Sequence, residues 1–219
     1  MIQRILYNAL TSGLAQIKAD PTILDDIFDK QWELPVTEVD AIKTFFATKA
    51  PRVIHGYARS DQEPPFYSIV LVSEREADAV IGDEAGIVLD EEDPDYGCDQ
   101  YAALWEHTYH VMCFTEHPDA CQYIYEVAKS IILTAKPTFI PKGIYDSNLS
   151  GADLLPDPRY VPEFMFVRQL AFTCKAELLT VNKDSKLSKA FRVGGMHIDK
   201  SGSPSDVGNV KTLITIANS

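Results

Sequence analysis

Apolar positions recur at helical spacing from the first residues of the chain. Ile2, Ile5, Leu6, Ala9, Leu10, Leu14 and Ile17 trace one face up to Asp20, where Asp20-Pro21 reads as a cap and restart. A short second helix is expected over PTILDDIF. Thr37 to Asp40 has capping-box spacing, and Val39, Ile42, Phe45 and Phe46 follow it at intervals of three and four, which predicts a third helix ending before Pro51. After Pro51 the period changes. RVIHGY and FYSIVLVS are short, β-branched and aromatic, and the polar SDQEPP between them suggests two adjacent antiparallel strands.

From Ser73 to Gln100 the chain is acidic, with a helix-compatible SEREADAV followed by GDEAG and DEEDPDYGCD, and most of it reads as a loop or insertion. Between Trp105 and Phe114 the period is two, which places Trp105, Tyr109, Val111 and Cys113 on one buried face. The pattern breaks at Thr115–Asp119. Pro118 suits a first helical position, and Ala120, Ile124, Val127, Ala128, Ile131 and Ile132 then form a stripe fit to lie on a sheet. Residues 134–161 hold four prolines and little periodicity, so a long connection is expected there. From Pro162 to Leu179 alternation returns, with Phe164, Phe166, Leu170, Phe172 and Cys174 on one face and Gln169, Thr173, Lys175 and Glu177 on the other. Past Val181 two short strand-like pieces flank a Gly/Ser-rich stretch. This tail has too few apolar residues for a core of its own and is expected to complete a sheet, its own or a neighbour's.

The fold class that follows is α+β, a small antiparallel sheet flanked by helices. The expected division is N-terminal helices over 1–50, an α/β core over 51–180 and a C-terminal arm over 181–219. At 219 residues and 46% hydrophobic, the chain can bury a full core without disulfides. A net charge of −12 argues against attraction to nucleic acid, since duplex binding draws on clustered lysine and arginine. The four cysteines show no C-x-x-C spacing and read as reduced thiols. The N-terminus lacks the unbroken apolar core of a signal peptide, and no apolar run approaches the length of a membrane span, so a soluble protein is expected.

The sharpest chemical cluster is His107, His110, Cys113, His117 and Cys121, five metal-capable groups within fifteen residues. In a strand, however, His107 and His110 point to opposite sides and cannot grip one ion, so no metal or other cofactor is assigned. A thiol dyad of Cys113 or Cys121 with a nearby histidine would need side chains that the pattern buries. Asp93-x-Asp95-x-Gly97 resembles half of a calcium loop but lacks the distal bidentate glutamate. No G-x-S-x-G, Walker loop or H-E-x-x-H is present, and no catalytic residue is named. Asn148-Leu149-Ser150 fits the glycosylation pattern, without a secretory signal to make it relevant.

The order of elements resembles the tail terminator and neck proteins of long-tailed, contractile-tailed bacteriophages. The residues that carry the resemblance are TFFATKAPRVIHGYARSDQEPPFYSIVLV (44–72), WEHTYHVMCFTEHPDACQYIYEVAKSIIL (105–133) and EFMFVRQLAFTCKAEL (163–178). The helices before Thr44 and the tail after Val181 depart from a minimal terminator. The resemblance implies a structural, non-enzymatic virion protein at the head–tail junction, made in the host cytoplasm. It also implies a ring, usually a hexamer, that caps the tail tube, meets tube and sheath proteins and a head-side connector or stopper, and lets DNA pass without specific binding or membrane contact. Another neck, collar or connector-adaptor role is the alternative, with a metal- or thiol-dependent hydrolase behind it. Under the ring reading, Asp83, Glu84, Asp90, Glu91, Glu92, Asp93 and Asp95 would face the lumen, where like charges repel DNA within a Debye length of roughly 8 Å. Phe191, Val193, Met196, Ile198, Leu213, Ile214 and Ile216 would form an inter-subunit arm.

Overall fold

The computed structural model describes residues 1–58, 62–77, 84–89, 97–154 and 165–180, with side chains described for all of these except 84–89, 97–102 and 178–180. Three helices lead: α1 (Ile2–Ala19), α2 (Ile23–Phe28) and α3 (Val36–Thr48). The strands β1 (Arg52–His55), β2 (Phe66–Glu76), β3 (Glu84–Leu89) and β4 (Gly97–Thr115) follow. After them come α4 (Pro118–Ala135), two 3-10 turns at Lys136–Thr138 and Ile140–Lys142, β5 (Ile144–Asp153) and β6 (Phe166–Thr180). The fold is α+β, with a sheet ordered β1-β2-β4-β6-β5 and β3 paired to β4 off that path.

Two compact units divide the chain. The first comprises residues 1–83 and 103–178, and the second comprises 84–102 and 179–219. Within the second, β3 pairs antiparallel with the opening residues of β4, from Leu89 opposite Gly97 to Glu84 opposite Tyr101. Within the first, α1–α4 share one hydrophobic core with a single face of the sheet. That face consists of Tyr67 and Ile69 of β2, Tyr109, Val111 and Cys113 of β4, and Leu170, Phe172 and Cys174 of β6, all buried. Ile124, Val127 and Ile132 of α4 are fully buried against it, each worth roughly 2 kcal/mol of transfer free energy. Tyr67 is the largest side chain without solvent contact among the described residues, and its hydroxyl donates to the backbone oxygen of Ile124 at 2.7 Å, which ties β2 to the middle of α4. On the opposite face Phe66, Phe114, Met165 and Val167 form a second, smaller cluster, with the Phe66 and Phe114 rings stacked at 4.7 Å.

Several expectations need correction. β1 and β2 pair in parallel, from Arg52 opposite Phe66 to His55 opposite Ile69. A hairpin presumes a tight turn, whereas the link here runs from His55 to Phe66 and β2 starts again from the same end as β1. The SEREADAV stretch does not open a helix: Ser73–Glu76 continue β2 against Thr108–Trp105 after an irregularity at Leu71/Ser73. Helix α3 begins at Val36 behind Pro35, with no side-chain cap, so Thr37 lies inside the helix and forms no capping box. Proline at this position already has its φ fixed, and the chain enters the helix without the cap.

The connection after α4 is not featureless either. It holds β5, which pairs antiparallel with β6 from Ile144 opposite Ala176 to Asp153 opposite Arg168. Phe166, assigned to the buried face of β6, is half-exposed, because alternation names a face while burial requires something lying over it. Trp105 is likewise only partly buried. Phe164 lies outside the described residues.

Candidate functional site

Strand β4 distributes the metal-capable side chains rather than gathering them. His107 lies on the helix-facing side, stacked on Tyr109 with ring centroids 6.1 Å apart, and its Nδ1 stands 3.6 Å from a Glu74 carboxylate oxygen. Burial lowers its pKa, and Glu74 partly opposes that shift. His110 lies on the other face, its Nε2 3.1 Å from the Gln169 side-chain nitrogen, and burial lowers its pKa as well. His117 is exposed at the N-cap of α4. Among the described residues no group of three or more His, Cys, Asp or Glu side chains converges as a metal site would require.

Cys113 and Cys121 do approach each other, but in the core. Cys121 at the first turn of α4 points its thiol at the backbone oxygens of Cys113, at 3.4 Å, and of Phe166, at 3.6 Å. Burial pushes the Cys113 thiol well up, raises Cys121, and takes Cys174 to about 11. A nucleophilic thiol needs the opposite shift, toward the thiolate, and an exposed path to it. These side chains behave as small apolar residues with weak S–H donors.

Most residues assigned to a lumen or an arm lie outside the described residues: Asp83, Asp90, Glu91, Glu92, Asp93 and Asp95 of the acidic stretch, and Phe191, Val193, Met196, Ile198, Leu213, Ile214 and Ile216 of the tail. Glu84 is the first residue of β3.

The structure adds a feature that periodicity did not reveal. A groove of about 720 Å³ runs between α1, α2 and α4, with Ile5, Ile17, Ile27 and Ile131 on its walls and Asp26 and Lys142 among its polar lining. Its floor on α1 is built from Ala9, Ser12 and Gly13, small residues at helical spacing. An ideal Cβ on Gly13 would stand 2.7 Å from three carbons of the Ile131 side chain, so α1 and α4 approach closely at this point because the residue is glycine. The small-residue spacing was the available signal. It was hidden because Ala9 counts as part of the apolar stripe while Ser12 and Gly13 sit beside it. The groove's isoleucine-bearing walls suit the burial of apolar side chains, with the polar groups set among them.

The sheet ends at β5, whose outer side has no strand partner among the described residues and which exposes Tyr145. At its far end Arg168 holds Asp153 at 2.5 Å and lies 5.3 Å from the Tyr125 ring centroid, so β5, β6 and α4 are tied by one guanidinium. That bond keeps the Asp153 carboxyl below its ordinary pKa. No helix among the described residues is long and apolar enough to cross a membrane. No protein-family model matches this chain, and no curated protein matches it.

Proposed function

We propose that this chain is a structural component of a phage neck, a ring subunit that caps the tail tube and joins it to the head side while leaving a channel for DNA. The observation that best supports the reading is the course of the chain through the fold. A long antiparallel β2–β4 ladder leads at Thr115 straight into α4, and the chain then returns as β6 beside β4, behind three N-terminal helices. That course shares the leading helices and the strand-to-helix passage with the element order on which the resemblance rests, and departs from that order in β5 and in the parallel β1–β2 pair. An outer strand such as β5 offers main-chain donors and acceptors that a neighbouring subunit can use. In this reading the acidic stretch over 83–99 lines the lumen and repels the duplex, and the segment after Val181 reaches an adjacent subunit.

The test is oligomeric mass. Light scattering over a range of concentrations, alone and with the tail-tube protein of the same particle, should show a closed ring, and truncation after Val181 should leave a folded chain that assembles poorly. A strict monomer under every condition, tube protein included, would remove the proposal. Full assembly of the truncated chain would remove the role of the arm.

A further inference from the structure

A second cavity, of about 260 Å³, opens where the α2–α3 connection meets the first turns of α4. Its walls are aromatic. Phe28 and Tyr123 meet edge to face with centroids 5.6 Å apart, and Trp32 forms another side while remaining 49% exposed. Three carboxylates, Glu38, Asp119 and Glu126, line the same space.

The charges there are unevenly satisfied. Glu126, nearly buried, is ion-paired with Lys129 one turn later on α4, and that ammonium also rests 5.4 Å from the Trp32 ring centroid. Glu38 accepts a 2.6 Å hydrogen bond from the Tyr123 hydroxyl through one oxygen. Burial, reinforced by that contact, takes the Tyr123 pKa to about 12 and keeps the phenol a donor. Among the described residues no cation pairs with Glu38 or with Asp119, which lies exposed in the first turn of α4.

We propose that this cleft receives an arginine side chain from a partner protein. The chemistry fits that group better than other cations: a planar guanidinium stacks on an aromatic face and presents several donors in a fork that matches carboxylates. The Trp32 ring carries one cation, Lys129, at 5.4 Å, and the residue stays 49% exposed, which leaves ring surface open to a stacked group. A protein partner is favoured over a free small cation because exposed apolar side chains stand beside the carboxylates. Val36, the first residue of α3, is 69% exposed close in sequence to the half-exposed Trp32, and tryptophan and arginine are both enriched among the residues that carry interface energy. The inference does not depend on the ring reading, since it concerns a surface on the helical layer and any partner that presents a basic residue.

The experiment uses the full chain and N-acetyl-arginine amide, with N-acetyl-citrulline amide as the neutral isostere and sodium chloride at equal ionic strength as the salt control. Calorimetry on the natural sequence should show saturable binding of the arginine compound alone. In a Trp105→Phe background the same titration should change the fluorescence of Trp32, the one tryptophan left. Glu38→Gln with Asp119→Asn should weaken binding by about threefold to tenfold, as expected for two partly exposed charge pairs, and Trp32→Ala should abolish it. An equal response to citrulline or salt would overturn the proposal. So would an unchanged affinity in the double variant with its circular dichroism intact. If Trp105→Phe does not fold, the calorimetric arms decide alone.

Discussion

A Cβ atom placed on Gly151 would stand 1.8 Å from the hydroxyl oxygen of Tyr125 and 2.8 Å from its Cζ. The outermost strand of the sheet therefore lies against α4 only because β5 has no side chain at that point. The same tyrosine ring lies 5.3 Å beneath the Arg168 guanidinium and 5.5 Å from the Lys129 ammonium, so it can hardly swing away without disturbing both cations.

Gly151→Ala should consequently destabilise the fold by about 1–3 kcal/mol, the usual cost of overpacking. Tyr125→Phe removes the nearest atom and should recover part of that loss when combined with it. Chemical denaturation of the two single variants and the double variant measures the coupling. A Gly151→Ala midpoint equal to the parent's would show that β5 does not lie where it is described.

Gly13 offers a change of sign. Alanine there gains roughly 1 kcal/mol of helix propensity but meets the Ile131 side chain at 2.7 Å, so the net effect in the natural chain should be a loss of stability. In an Ile131→Ala background the obstruction is gone and the same substitution should stabilise. The double-mutant cycle reports the difference, and equal effects in the two backgrounds would rule out the close approach of α1 and α4.

His110 should contribute a pH dependence. Burial lowers its pKa in the folded state, so between that value and the unfolded one near 6.5 the unfolded chain binds more protons. The stability it contributes is present above the unfolded value and is lost as pH falls through the folded value. Protonation would also convert the ring nitrogen 3.1 Å from the Gln169 amide into a donor facing a donor. Melting temperatures measured from pH 7.5 down to pH 5 should fall less steeply for His110→Gln. Parallel curves would mean that this histidine does not titrate differently on folding.

The thiols give a fourth check. In a Cys98→Ser background, Cys113, Cys121 and Cys174 should react with an aromatic disulfide reagent only as fast as the chain opens, because all three are buried with raised pKa values. Rapid modification of even one equivalent at pH 8 would show a reactive cysteine and would revive the thiol-dependent alternative.

The legible parts were those in which one face of an element is buried along most of its length. Tyr109, Val111 and Cys113 of β4, Leu170, Phe172 and Cys174 of β6, and the stripe of α4 starting at Pro118 all announced themselves by period. β5 did not, because IYDSNLSGAD is an edge strand exposed at most positions and has no alternation to read. The aromatic and acidic cleft was equally hidden, since Trp32, Glu38, Asp119 and Tyr123 come from segments nearly ninety residues apart and share no spacing.

Periodicity along the chain determined which faces of α1, α4, β4 and β6 turn to the core, because burial of a face depends on neighbours two or four positions away. Tertiary structure alone decided that β1 runs parallel to β2, that β5 closes the sheet beside β6, and that Gly13 and Gly151 are points of close approach. Each of these rests on contacts between residues distant in sequence, whose energies leave no local repeat in the amino acids that make them.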